Sequence, residues 1–270
     1  MRWEELSSTE FAHAVRETGV CVVAMGVLEK HSEHLPLGTD VLISHRAAVL
    51  ASKLEPAIVF PPFYFGQIYE ARCFPGTLTI KPSLLMELIE GVLDEIGRNG
   101  FKKIIIHNGH GGNCFLVKYL AQCSLWQEKP YSLYVQGEWL NAERKARWNS
   151  LLETKVHGHA CECETSCLLA VSPELVKMDR VPATPAFNQG RTKHLTDSFS
   201  GIGWYSSFPD HYAGDARAAS VVKGNALMGM IAESLAEFIK AVKADRVVPS
   251  LEREFFQRER DIRRNAEIPM

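Results

Sequence analysis

Apolar residues recur with two different periods along this chain, and the alternation between the two outlines a fold. "VCVVAMGV" (20–27) is apolar and mostly β-branched without a polar break, the pattern of a strand buried on both faces. "AIVFPP" (57–62), "KKIIIHNG" (102–109) and "YSLYVQ" (131–136) read as three further strands. Between them the period becomes helical. Ser7 and Glu10 have capping-box spacing ahead of "EFAHAVRETG", a short helix that Gly19 ends. A second helix is expected over Val41 to Leu54. Pro82 opens an amphipathic helix through "SLLMELIEGVLDEIGRNG", with Gly100 placed as its left-handed terminator. "FLVKYLAQCSLW" (115–126) is a fourth helix, "ECETSCLLAV" (162–171) a shorter one and Ala216 to Val242 a long one.

Strands that alternate with helices predict an α/β fold with a mainly parallel sheet and right-handed crossovers. At 270 residues and 46% hydrophobic content, one domain over 1–270 is expected. Pro182 to Tyr212 is rich in Pro, Gly, Ser and Asp and has no sustained period, so it reads as a long surface excursion of the kind that often carries function. The tail "EREFFQRERDIRR" reads as a solvated helix whose paired Phe255 and Phe256 could dock on another subunit.

Charge narrows the partners. Thirty Lys and Arg against 32 Asp and Glu leave a formal charge of -2, without the basic excess that binding nucleic acid requires. No apolar run reaches the roughly 18 residues that span a bilayer, and "MRWEELSSTEF" lacks a signal peptide's apolar stretch. A soluble cytoplasmic protein is expected, with no membrane partner. Seven scattered cysteines, an odd number, suit reduced thiols better than a disulfide framework.

In open parallel sheets, ligands bind beyond the carboxyl ends of the strands. After the first strand comes "LEKHSEHLPLGTD", in which Glu29 and His31 project to one side and Asp40 returns after a Pro-Leu-Gly turn. After the third comes "HNGHGGN", with His110 among glycines that let backbone approach a ligand. Past the fourth lies "VHGHACECETSC" (156–167), which offers Glu164 or a neighbour. Two imidazoles and three carboxylates suit zinc, manganese or Fe(II), and a carboxylate can bridge two such ions. A metal pair can activate water and polarise a carbonyl together, which points to a hydrolase acting on a small molecule. His34, one turn from these residues, could orient one of them or touch substrate. His107 falls on the opposite pleat, and Glu33 and His45 read as surface polar groups. A structural zinc held by Cys161, Cys163 and Cys167 with His157 or His159 is the alternative from another class. Its "CEC" spacing, with one further cysteine four residues on, departs from the usual paired C-x(2–4)-C pattern.

"EKHSEHLPLGTD", "FPGTLTI", "NGHGGN", "HACECETS" and "GDARAASVVKG" occur in the order and spacing of the creatininase (creatinine amidohydrolase) family, from about Gly26 to the end of the last long helix. The chain resembles that family, and the resemblance implies a three-layer α/β/α fold. It also implies two divalent ions, Zn or Mn and possibly Fe. Glu29, His31, Asp40 and His110 fall on the family's metal ligands, with Asp40 in the bridging position. Creatininase has a further glutamate ligand where this chain has Gly112; by resemblance Glu164 replaces it, and His159 is the proton shuttle for C–N cleavage. Asn113 and the glycine-rich loop are candidates to hold an oxyanion, Trp139 and Trp204 to wall the pocket, and Gly76 with Thr77 to shape a turn. Val27, Leu28, Lys30, Ser32, Glu33 and Ala71 depart from the family's usual residues. The expectation is therefore an amidohydrolase for a small cyclic amide or formamide other than creatinine, working as a homo-oligomer of six subunits or fewer. Opening of an inosose-type ring ketone is the alternative.

Overall fold

The computed structural model describes residues 1–136 and 138–266. In chain order its main elements are α1 (Ser8–Thr18), β1 (Val20–Met25), α2 (Thr39–Leu54), β2 (Ile58–Val59), α3 (Pro82–Arg98), β3 (Lys103–Asn108), α4 (Cys114–Cys123) and β4 (Ser132–Gln136). They continue as α5 (Ala142–Leu151), β5 (His157–His159), α6 (Glu162–Val171), α7 (Gly203–Ser207), β6 (Ala213–Gly214), α8 (Val221–Ala244) and α9 (Val247–Ala266).

The central sheet is parallel throughout, in the order β2-β1-β3-β4. All six residues of β1 are buried, which is why the strand reads as one apolar run. Cys21, Val23, Met25, Ile104 and Ile106 face α1, α3 and α4. Val20, Val22, Ala24 and Ile105 face the opposite way, onto α2 and α8. Helices thus cover both sides of the sheet, the three-layer arrangement expected. Among the described residues no helix is long and apolar enough to cross a membrane.

Local chemistry sets the boundaries. Ser7 and Glu10 form the capping box of α1, and Gly19 closes it at φ 65. Gly100 takes φ 105 just beyond α3, where a Cβ would be strained. Lys103 starts β3 with only 7% of its surface exposed. Its ammonium donates to the carbonyls of Val242, Lys243 and Asp245 at 2.6, 2.9 and 2.6 Å, so a buried charge closes the C-terminal end of α8.

A third apolar cluster lies behind the site, where α2, α6 and α8 meet Trp148 of α5. There α8 crosses α6 so closely that a Cβ on Gly224 would sit 1.8 Å from the Ser166 carbonyl oxygen. The small antiparallel pair β5–β6 sets His159 opposite Ala213 and so brings residues 157–159 beside the end of the long excursion. Between 182 and 212 the chain is irregular apart from short turns and α7. The expectation for the tail holds in part. α9 is a helix and Phe255 is exposed, but Phe256 is 5% exposed and packs on its own chain, so the pair does not offer two rings to another subunit.

Candidate metal centre

The register of the sheet pairs Met25 of β1 with Asn108 of β3, so the segments leaving these two strands start from one rim. Two glycines let α2 come down onto that rim. A Cβ on Gly26 would meet the Val41 nitrogen at 2.7 Å, and one on Gly109 would meet Ser44 Oγ at 2.5 Å. The result places Asp40 in the first turn of α2, where the helix dipole favours a carboxylate. Residues 29–37 fold back over the rim. Glu29 N–H donates to the Leu37 carbonyl at 3.0 Å, and His31 bridges Leu35 across a turn at Ser32, which has φ 56.

Four buried side chains converge there. Nδ1 of His110 lies 2.8 Å from Glu29 Oε1 and 3.1 Å from Asp40 Oδ2, while Nε2 of His31 lies 3.1 Å from Asp40 Oδ1. Asp40 therefore straddles two donor groups: Glu29, Asp40 and His110 on one side, and His31, Asp40 and Glu164 on the other. The ligand atoms of each group lie within 4.8 Å of one another. Despite the short approaches, among the described residues Glu29 Oε1, Asp40 Oδ2 and His110 Nε2 have no hydrogen-bond partner. Buried donor atoms gathered in one place without hydrogen-bond partners suit a cation. The donor set, imidazole and carboxylate with no sulfur, suits zinc or manganese. The residues present fit the group that the sequence implied.

Neighbouring contacts orient these donors. His31 Nδ1–H donates to the Glu29 carbonyl at 3.2 Å, leaving the Nε2 lone pair toward Asp40. Glu29 is held by a residue that sequence reasoning missed. His211 donates from Nε2 to Glu29 Oε2 at 2.5 Å, and its Nδ1 accepts from the indole N–H of Trp204 at 3.2 Å. The indole can only donate, so it fixes the imidazole tautomer and through it directs Oε1 of Glu29 toward His110. The one sign of His211 in the sequence was its place three residues ahead of the "GDARAAS" motif.

Charge follows from this packing. Burial alone would lower the pKa of His31, but the Asp40 and Glu29 carboxylates push it up to about 10. Burial likewise opposes the charge on His110, and Glu29 and Asp40 raise it well above the ordinary histidine value. Glu29 is held well below the carboxylate range, against its burial, by the charge on His110 and the hydrogen bond from His211. These protons occupy positions a metal ion would take, since ligands bind metal deprotonated. Burial pushes Glu164 up to about 8, with His31 opposing; its Oε2 accepts from Ala160 N–H at 2.5 Å.

The other predicted residues divide. His159 is buried beside His31 and His211, with ring centroids at 4.2 and 4.5 Å. Its Nε2–H donates to the Lys30 carbonyl at 2.8 Å, and burial together with the His31 charge lowers its pKa to about 3. Asn113 is fully buried; Oδ1 accepts from Gln67 N–H at 2.8 Å, and Nδ2 has no partner among the described residues. Two residues named as possible substrate contacts make structural contacts here. His34 is 1% exposed and its Nε2 meets Thr165 Oγ1 at 2.9 Å, so its contacts brace the start of α6. Trp139 gives its indole N–H to the Asn108 carbonyl at 2.5 Å and stacks on His107 at 5.7 Å, supporting the loop from behind. His107 is itself fully buried, bonded to Gln136 at 2.6 Å. Gly76 has φ 82, as a turn requires. The three cysteines of this segment separate. Cys167 is buried in the core, but His157, Cys161 and Cys163 form a compact group of their own, because Cys161 precedes α6 as its N-cap rather than lying on a helical face.

Residues 4–239 match the family model described as creatininase, creatinine amidohydrolase. A mycofactocin precursor peptide peptidase from Mycolicibacterium smegmatis is 30% identical over 241 residues, 83% of this chain and 86% of that protein. The creatinine amidohydrolase of Pseudomonas putida is 25% identical over 197 residues, covering 67% and 75%. The 3-dehydro-scyllo-inosose hydrolase of Thermotoga maritima is 21% identical over 275 residues, covering 92% and 86%. A crystal structure of creatinine amidohydrolase superposes with a TM-score of 0.75 at 21% identity, over 88% of this chain and 96% of that one. Two further creatininase structures, one described as Zn-Zn type and one as Mn, give TM-scores of 0.75 and 0.72, each 20% identical and covering 89% of this chain and 97% of theirs. The family match over most of the length, on a fold of the same kind, makes this chain a member of the creatininase family of amidohydrolases.

Proposed function

We propose that this protein is a dinuclear-metal-dependent hydrolase that cleaves the C–N bond of a small amide. The observation that carries this reading is Asp40, shared between the Glu29–His110 group and the His31–Glu164 group. On this reading Glu29, Asp40 and His110 hold one divalent ion and His31, Asp40 and Glu164 the other. A metal pair bound there would supply activated water and polarise the scissile carbonyl. The chain's own residues do the rest. His159 is neutral at rest, and because Nε2–H is given to the Lys30 carbonyl, its proton-accepting atom is Nδ1. It takes a proton there as a base and returns it to the leaving nitrogen. The unpartnered Nδ2 of Asn113 is a donor available to a developing oxyanion.

Substrate class rests on Gly112. Gly112 stands where creatininase has its glutamate ligand, and a Cβ there would crowd His110 Nε2 at 2.5 Å and Gln67 Oε1 at 2.6 Å, which leaves Glu164 to serve. This supports an amide other than creatinine: a cyclic amide, a formamide or, given the peptidase relative, a peptide bond. A second reading, opening of a ring ketone, is favoured by the inosose hydrolase relative.

The test is a screen of metal-loaded enzyme against cyclic amides including creatinine, formamides, short peptides and inosose-type ketones. Release of a new amine, lost in His110→Ala together with bound metal, is expected. Turnover of ketones alone, or full activity in metal-free His110→Ala, would sink the reading.

A further inference from the structure

His157, Cys161 and Cys163 lie just behind the segment that delivers His159 and Glu164, and none of the three has a part in the chemistry above. Their ligating atoms, one imidazole nitrogen and two sulfurs, fall within 4.8 Å of one another, with Nδ1 of His157 3.9 Å from Cys163 Sγ. Both thiols are free.

The group is oriented as ligands are. His157 donates from Nε2 to the Thr154 carbonyl at 2.8 Å, which leaves Nδ1 with its lone pair toward the sulfur. Metal-binding histidines are commonly fixed by such a contact on the far nitrogen. The sulfur of Cys163 receives the indole N–H of Trp148 at 3.3 Å, and Trp148 is 5% exposed, so this donor to sulfur is held rigidly. Cys161 has extended backbone, φ -88 and ψ -171, and sits before the first turn of α6. That conformation is what sets its side chain beside Cys163. Cys161 is buried and Cys163 half-buried, while His157 is exposed, so the group has a dry floor and an open side.

We propose that His157, Cys161 and Cys163 form a second metal site, distinct from the carboxylate centre, that binds a thiophilic ion of the zinc class with solvent as fourth ligand. Sulfur is the discriminating feature. Thiolates select zinc or Cu(I), whereas the imidazole and carboxylate donors around Asp40 accept harder ions. Zinc bonds of about 2.3 Å to sulfur and about 2.0 Å to nitrogen place tetrahedral ligands roughly 3.5–3.8 Å apart. The atoms found here, within 4.8 Å of one another, need to close by at most about 1.3 Å to reach that spacing. Binding releases the two thiol protons to solvent. An ion so held ties β5 to the start of α6, bracing from behind the peptide between His159 and Glu164.

The test is a cobalt titration of the metal-free, full-length protein. Thiolate ligation gives cobalt an intense near-ultraviolet charge-transfer band that imidazole and carboxylate ligands do not. One equivalent of thiolate-bound cobalt per chain is expected, displaced by zinc. The band should vanish in Cys161→Ser/Cys163→Ser and persist in His110→Ala and in Cys114→Ser, which removes an exposed thiol. In case loss of the two sulfurs unfolds the chain, His157→Ala removes the exposed ligand alone, and there cobalt affinity should fall at least about tenfold. No charge-transfer band at excess cobalt, or a band unchanged in the folded cysteine or His157 variants, overturns the proposal.

Discussion

Replacing His211 by asparagine isolates the contact that orients Glu29. Asparagine suits the left-handed backbone at this position, φ 55, but is too short to reach the Glu29 carboxylate. Glu29 is 1% exposed, and once the 2.5 Å bond to Oε2 is gone, the next donor, His159 Nε2, stands at 3.8 Å. A hydrogen bond to a charged group contributes about 1.5–3 kcal/mol. At about 1.4 kcal/mol per factor of ten, that is roughly a 10- to 150-fold change in an equilibrium constant. Loss of a residue that orients a metal ligand costs about 10- to 100-fold in metal affinity, so the two routes agree. Zinc affinity of the carboxylate centre, measured by competition with a chromophoric chelator at neutral pH, should therefore fall by roughly 10- to 100-fold in His211→Asn. His211→Gln, whose longer amide can donate to Oε2, should recover part of the loss. Trp204→Phe should cost less, because it frees the tautomer without removing the imidazole. If His211→Asn binds zinc within about twofold of the wild type, a difference near 0.4 kcal/mol, the orienting role is refuted.

Three further outcomes concern the frame around the site. Gly224→Ala sets a methyl against the Ser166 backbone, which cannot yield, and overpacking of this kind costs about 1–3 kcal/mol; the thermal midpoint should drop by roughly 2–12 °C. Lys103→Met leaves three carbonyls at the end of α8 without their donor and should lower urea-unfolding stability by at least about 2 kcal/mol, an expectation that an unchanged midpoint refutes. Glu162 is buried, which works against its charge, but Lys223 and Thr154 keep its pKa below the ordinary carboxylate value. Its stabilisation is thus fully present above the unfolded value of about 4.3 and is lost as pH falls through the lower folded value. The stability gap between wild type and Glu162→Gln should be flat near neutrality and shrink in acid; a gap independent of pH contradicts the assignment.

Strong local signals were legible in advance. The unbroken apolar run of β1, the capping box at Ser7 and the terminator at Gly100 each act through nearest neighbours, and each is found where expected. Glu29, His31, Asp40 and His110 could be grouped because neighbouring parallel strands deliver the loops at their carboxyl ends to one rim. The features that could not be read depend on contacts distant in sequence or on very short elements. His211 meets Glu29 across 182 positions, and β6, the strand beside it, has two residues and no period. Helix α5 was missed because "AERKARWNSL" buries only Trp148 and shows no apolar stripe. The pairing of Cys161 with Cys163 and His157 could not be read because it depends on the extended backbone of Cys161, one residue outside the helix.

The bond between Glu29 and His211 also has a kinetic meaning. Joining residues 182 positions apart carries a loop-closure entropy of about 4–5 kcal/mol in an open chain, far more than one hydrogen bond returns. The contact can close only after the sheet and the β5–β6 pair have already drawn the two segments together. By this reasoning it should form after the rate-limiting step of folding. Substitutions at His211 should therefore accelerate unfolding while leaving the refolding rate nearly untouched, so this contact governs how long the folded site persists rather than how fast it forms.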